Sequence, residues 1–250
     1  REAVEAAQRE VESAQKKLDD ARADLDELQK KRAEALARQG ALQAENQQLG
    51  GSIQRTGGAL REALGADFKL MIDAHWNYTV AQAVKLAHRL EELDVEFLEC
   101  PLNPENLAGY SELAATVSIP VTLGEADRTH WRYKDILDRN SCDIVQPDVG
   151  RCGISELMRI SELAELYGKP VAPHLSVGQA GCIAATLHCD AAIYNFYGMQ
   201  EYQPSILPVA NEFLIDPIKC ENGAFSIPEG AGLGIEFDED KVRYYSSENK

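Results

Sequence analysis

The chain has 250 residues, with 25 Lys and Arg against 41 Asp and Glu, a formal charge of −16. That balance speaks against a nucleic-acid or anionic-membrane partner, since both need basic surface. Hydrophobic residues make up 44%, enough for a folded core, yet no apolar run reaches the ~18 residues of a membrane helix. Residues 1–30 are charged throughout, unlike a secretory leader. Cys100, Cys142, Cys152, Cys182, Cys189 and Cys220 form no CxxC pair and sit mostly in apolar segments. They read as buried free thiols of a cytoplasmic protein.

Residues 1–50 form one compositional segment and 51–250 another. The first has no Pro and no aromatic residue, and its apolar side chains follow a heptad. Val4, Val11, Leu18 and Leu25 occupy one seam position; Ala7, Ala14, Ala21 and Leu28 occupy the other. This spacing predicts a long coiled-coil-like helix, with small Ala residues letting a partner helix approach closely. Gly40 is a candidate hairpin turn before a short helix carrying Leu42 and Leu49. Gly50-Gly51 and Gly57-Gly58 read as breaks. The seam offers a surface for homo-oligomerisation.

Beyond residue 66 short runs rich in Val, Ile and Phe alternate with helical patterns. The runs are Phe68–Ile72, Val95–Leu98, Pro120–Leu123, Asp143–Gln146, Pro170–Ala172 and Tyr194–Met199. Between the first two, Val80, Ala83, Val84, Ala87 and Leu90 line one helical face after Thr79, a plausible N-cap. Residues 154–167 repeat the pattern. Such alternation predicts an α/β fold with a parallel sheet.

Each expected strand ends in an ionisable residue: Asp73, Glu99, Glu125, Asp148, His174 and Glu201, spaced 23–27 residues apart. One strand–helix unit per ~25 residues suits a (β/α) barrel, whose strand C-termini converge on the active face. Only six of eight strands are legible, so a partial TIM-type barrel is expected. Converging carboxylates repel unless compensated, and Asp73, Glu99 and Glu125 are oxygen donors suited to a hard divalent cation, Mg²⁺ by default.

The ordered set Met71-Ile-Asp73-Ala-His75, Phe97-Leu-Glu99-Cys-Pro101, Gly124-Glu125, Gln146-Pro-Asp148, Ala172-Pro-His174 and Asn195–Glu201 resembles the barrel domain of the enolase superfamily. The likeness lies in its mandelate racemase-like branch and covers about residues 55–245. It implies that Asp73, Glu99 and Glu125 bind Mg²⁺, that Asp148 and His174 form a catalytic dyad, and that Glu201 is the last catalytic carboxylate. His75, two residues past the first metal ligand, resembles acid-sugar dehydratases of the galactonate and mannonate type. The family's N-terminal capping domain and first two barrel strands have no counterpart here; the heptad segment stands in their place. The second-strand Lys base of the racemases is also missing.

Abstracting a proton beside a carboxylate builds two negative charges on that group, which Mg²⁺ stabilises. His174 suits the base role, with Asp148 fixing its tautomer, and His75 suits protonation of a leaving β-hydroxyl. Glu201, if protonated, can bond a substrate oxygen. Arg128 and Trp76 are candidate substrate contacts. His88 and His188, on predicted helices, are expected to be structural, and His130, in a loop after Glu125, solvated. The expected activity is dehydration of an aldonic or aldaric acid to a 2-keto-3-deoxy acid. The rivals are a non-catalytic helical scaffold retaining a partial barrel, and a racemase or cycloisomerase of the same superfamily.

Overall fold

The computed structural model describes residues 27, 29–31, 50–175 and 180–248. The chain divides into two units, Arg1–Ile53 and Gln54–Lys250. Of the first, residues 27 and 29–31 are helical, and Lys31 pairs with Glu27 at 2.6 Å. That is an exposed i,i+4 pair of small energetic weight. The heptad seam and the Gly40 turn lie outside the described residues.

Residues 50–64 form helix α1. The glycine pairs expected to break the chain are helical instead. Tertiary packing supplies the reason for Gly57, which is buried: a Cβ there would come within 3.2 Å of Leu93 Cδ1. Its bareness lets α1 approach the turn before the second strand. Arg61 then fastens this junction. Its guanidinium donates to the carbonyls of Leu93, at 3.0 Å, and Asp94, at 2.7 Å. It also donates to those of Gly65, Ala66 and Phe68.

Four parallel strands follow in sequence order: β1 (Leu70–Asp73), β2 (Val95–Glu99), β3 (Val121–Leu123) and β4 (Ile144–Val145). Helices α2 (Val80–Glu91), α3 (Leu107–Thr116) and α4 (His130–Asp138) connect them, as parallel pairing requires. The expected runs past 170 and 194 appear as parallel bridges, Val145↔Val171 and Val171↔Phe196, rather than ladders. Pro147, Pro170 and Pro173 each remove a ladder donor, which keeps these strands short. Pairing resumes at Asp148↔His174. Within the described residues the sheet is thus an arc of six strand positions. α5 (Val149–Cys152), α6 (Ile154–Leu166), α7 (Ala180–Ala192) and α8 (Ile206–Asn211) follow, then the hairpin β5 (Cys220–Glu221) and β6 (Ala224–Phe225), and α9 (Glu239–Glu248).

The helices bury the faces their periodicity marks. On α2, Ala83, Leu86, Ala87 and Leu90 are buried, and Gln82 Oε1 accepts from Thr79 N at 2.9 Å. On α6, Leu157, Ile160 and Ala164 are buried, whereas Ile154 and Tyr167, at the helix ends, are exposed. Tyr110 and Tyr133 are fully buried with their hydroxyls satisfied, donating to Leu102 O at 2.6 Å and Gly124 O at 2.7 Å. Both bonds brace turns at the C-terminal ends of strands. All six cysteines are free; Cys100, Cys142 and Cys189 are buried. Among the described residues no helix is long and apolar enough to cross a membrane.

Candidate active site

The C-terminal ends of the parallel strands gather the ionisable residues. Asp73 closes β1 and pairs in register with Glu99, which closes β2. Glu125 lies two residues past β3, Asp148 caps the start of α5, and His174 is bridged to Asp148. Glu99, Glu125, Asp148 and His174 are all buried, at 4–9% exposure, which is rare for charged groups unless they are paired.

His174 is the hub. Its Nδ1 lies 2.6 Å from Asp148 Oδ2, and its Nε2 lies 3.1 Å from Glu125 Oε2 and 3.8 Å from Glu201 Oε2. Burial opposes charge on the ring, but the hydrogen bonds to Asp148 and Glu125, with the charges of Glu201 and Glu125, outweigh it. The pKa rises to about 10. Asp148 is itself fixed, its Oδ1 accepting from Gly150 N at 2.6 Å. Glu201 is oriented by Leu175 N, which donates to Oε2 at 2.7 Å. His75 Nδ1 lies 4.0 Å from Glu125 Oε1, on the opposite carboxylate oxygen from His174.

The acids crowd one another. Burial lifts Glu99 to about 7; Gln146 opposes this through a hydrogen bond, while the charges of Asp73, Glu201 and Glu125 add to it. Asp73 keeps an exposed face, yet surrounding protein atoms and Glu125 raise its carboxyl above the ordinary value, against a hydrogen bond from His75 N at 2.8 Å. Glu99, Glu125 and His174 bring one ligand atom each to within 4.8 Å of one another. This buried, mutually repelling, oxygen-rich cluster fits a divalent cation.

The backbone after the first two strands is strained at the same place. His75, Trp76 and Cys100 have φ of +43°, +64° and +41°, a region that non-glycine residues seldom occupy outside functional turns. His75 and Trp76 stack with ring centroids 4.6 Å apart. Trp76 is half-buried; Arg128 is exposed in the turn after β3, and neither lines the cavity beside the cluster. That cavity, of about 840 Å³, is lined by Asp73, Glu99 and Glu201 and walled by Phe97, Tyr197 and Phe225.

His130 was expected in a solvated loop, but it opens α4, half-buried, with Nδ1 at 2.5 Å from Glu156 Oε1. Glu156 is distant in sequence, so no local signal announces the pair. His88 and His188 have structural partners, Glu91 at 3.0 Å and Leu233 O at 3.2 Å. Sequence reasoning assigned no role to several polar residues lining the cavity, among them Gln146, Asp190 and Gln200. Gln146 could have been found, since strand alternation puts it on the same side as Asp148 two residues on.

Parallel strands delivering acids and a His–Asp pair to one end define a strand-end polar site of the α/β type. The chain matches the enolase C-terminal domain-like family over residues 5–241 and belongs to it. The match reaches further toward the N-terminus than the motifs from about residue 55 onward. D-galactarolactone cycloisomerase of Agrobacterium fabrum is 35% identical over 190 residues, 73% of this chain and 50% of that protein. Arabinonate dehydratase of Saccharolobus solfataricus is 33% identical over 175 residues, 70% of this chain and 46% of that protein. The crystal structure of 3,6-anhydro-D-galactonate cycloisomerase from Zobellia galactanivorans superposes with a TM-score of 0.72 at 31% identity. It covers 78% of this chain and 55% of its own. The chain thus spans about half the length of the curated relatives it matches.

Proposed function

We propose that this chain carries the catalytic centre of a Mg²⁺-dependent sugar-acid dehydratase, converting an aldonic or aldaric acid to a 2-keto-3-deoxy acid. The observation that carries this reading is the buried His174, held by Asp148 at 2.6 Å on one nitrogen and turned toward Glu125 and Glu201 on the other. Relatives named as dehydratases of arabinonate and L-rhamnonate support the substrate class.

Asp73, Glu99 and Glu125 would hold the metal; their hard oxygen donors fit Mg²⁺. When bound, Mg²⁺ supplies positive charge against the substrate carboxylate as its α-carbon is deprotonated. His174 takes the α-proton in its neutral form. Asp148 and Glu125 stabilise the imidazolium in the present arrangement; a cation held by Glu125 would oppose that positive charge and favour the neutral form. Asp148 keeps the Nδ1 proton in place and so fixes Nε2 as the accepting atom. His75, exposed and on the far side of Glu125 from His174, donates a proton to the departing β-hydroxyl, which leaves as water. The resulting enol tautomerises to the keto acid. Glu201 donates to or accepts from a substrate oxygen.

Mass spectrometry of arabinonate, L-rhamnonate and aldaric acids incubated with the chain and Mg²⁺ tests this. Metal-dependent loss of one water supports the proposal; no mass change in any acid contradicts it. The cycloisomerase relatives favour a second reading. In that case a lactone is converted to an isomer of equal mass, which NMR separates from dehydration.

A further inference from the structure

Gln146 sits one residue past β4, only 4% exposed, and lines the cavity that also holds Asp73, Glu99 and Glu201. Its side chain hydrogen-bonds Glu99. With Glu99 ionised, as a metal ligand would be, it offers only acceptors, so the amide nitrogen faces it; the reverse orientation would set oxygen against oxygen. The other half of the amide is then committed elsewhere, yet Oε1 is buried without a hydrogen-bond partner. A buried acceptor left unpaired is uncommon in a folded protein. The residue lines a cavity whose other polar walls are the carboxylates of Asp73, Glu99, Asp190 and Glu201, beside Gln200, Tyr197 and Tyr202. A ligand group that pairs with Oε1 must bring a donor. A hydroxyl satisfies Oε1, whereas a carboxylate would be repelled by it and by its neighbours.

We propose that Gln146 is a specificity-determining residue: its amide nitrogen steadies Glu99 while its Oε1 accepts a hydrogen bond from a hydroxyl of the sugar acid. This rests on the dehydratase reading and adds to it the group that reads the polyol chain. The two ends of one amide then couple the metal-ligand set to substrate stereochemistry, because a hydroxyl of the wrong configuration leaves Oε1 unpaired. Sites built to bond a hydroxyl reject analogues lacking it far more strongly than apolar pockets discriminate by size.

The test is a functional-group cycle measured by calorimetry in Mg²⁺, with arabinonate and its 3-, 4- and 5-deoxy forms against the parent chain and Gln146→Leu. Gln146→Leu should weaken arabinonate roughly tenfold. One deoxy acid should bind the parent weaker by a similar factor yet bind Gln146→Leu no worse than arabinonate does. If every deoxy acid loses the same factor in the parent and in Gln146→Leu, the role of Gln146 is overturned while the dehydratase reading stands. If the parent binds none of the acids, both fall together.

Discussion

Asp190 on α7 offers a quantitative test of the electrostatics around the cavity. Neither of its carboxylate oxygens has a hydrogen-bond partner, and burial lifts its pKa from 3.8 to about 7. Its folded pKa is therefore above its unfolded one. The proton is retained on folding, so Asp190 causes no penalty below about pH 4, an increasing one toward pH 7, and the full one above. A shift of about three units corresponds to roughly 4 kcal/mol as an upper limit. Between pH 5 and pH 8 the penalty should grow by about 2 kcal/mol, after allowing for the carboxyl's partial exposure. Asp190→Asn removes the titration and leaves an amide whose cost is independent of pH. Urea unfolding of both proteins at pH 5 and pH 8 reads the difference. The variant should gain stability relative to the parent by about 2 kcal/mol on going from pH 5 to pH 8. An equal difference at the two pH values would refute the reasoning.

Two further substitutions probe the elements that hold the site. Arg61→Ala severs the bonds to Leu93, Asp94 and Phe68 that fasten α1 to the approaches of β1 and β2; it should lower stability by about 1–3 kcal/mol, read from the urea midpoint. Gly124 has φ of +141°, and a Cβ there would lie 3.0 Å from Gln146 N and from the Tyr133 ring. Gly124→Ala should therefore cost about 1–3 kcal/mol and weaken Mg²⁺ binding by displacing the neighbouring Glu125, as calorimetry would register.

The strands and the site were legible for one physical reason. Short β-branched runs stopped by an acid or a histidine, at regular spacing, mark both the sheet and the end at which charges converge. Thus Asp73, Glu99, Glu125, Asp148, His174 and Glu201 could be read in order before any coordinates. What could not be read depends on contacts across the fold. Gly57 reads locally as a breaker, and only its closeness to Leu93 explains why a helix passes through it. His130 gave no hint of Glu156, which arrives from α6. Helix α7 is buried on several sides, including Ile183, Ala184, Ala185, Thr186 and Leu187, so it lacks the one-sided period that reveals a helix, and Asp190 was hidden in it. The unpaired oxygen of Gln146 depends on where Glu99 lies, a relation between two strands. The proline interruptions, by contrast, were visible in sequence and account for bridges where full strands were expected.

The most direct test of the account is α-proton exchange, because it isolates the base from the later loss of water. With arabinonate and Mg²⁺ in deuterated solvent, NMR should show deuterium entering the α-position in the parent chain as water is lost. His174→Asn should abolish both exchange and dehydration. His75→Asn should abolish dehydration while α-exchange persists, because Nε2 of His174 still takes the proton and only the acid for the leaving hydroxyl is gone. Exchange surviving in His174→Asn and vanishing in His75→Asn would reverse the two roles. A parent chain that binds Mg²⁺ yet neither exchanges nor dehydrates would contradict the central claim and favour the non-catalytic scaffold.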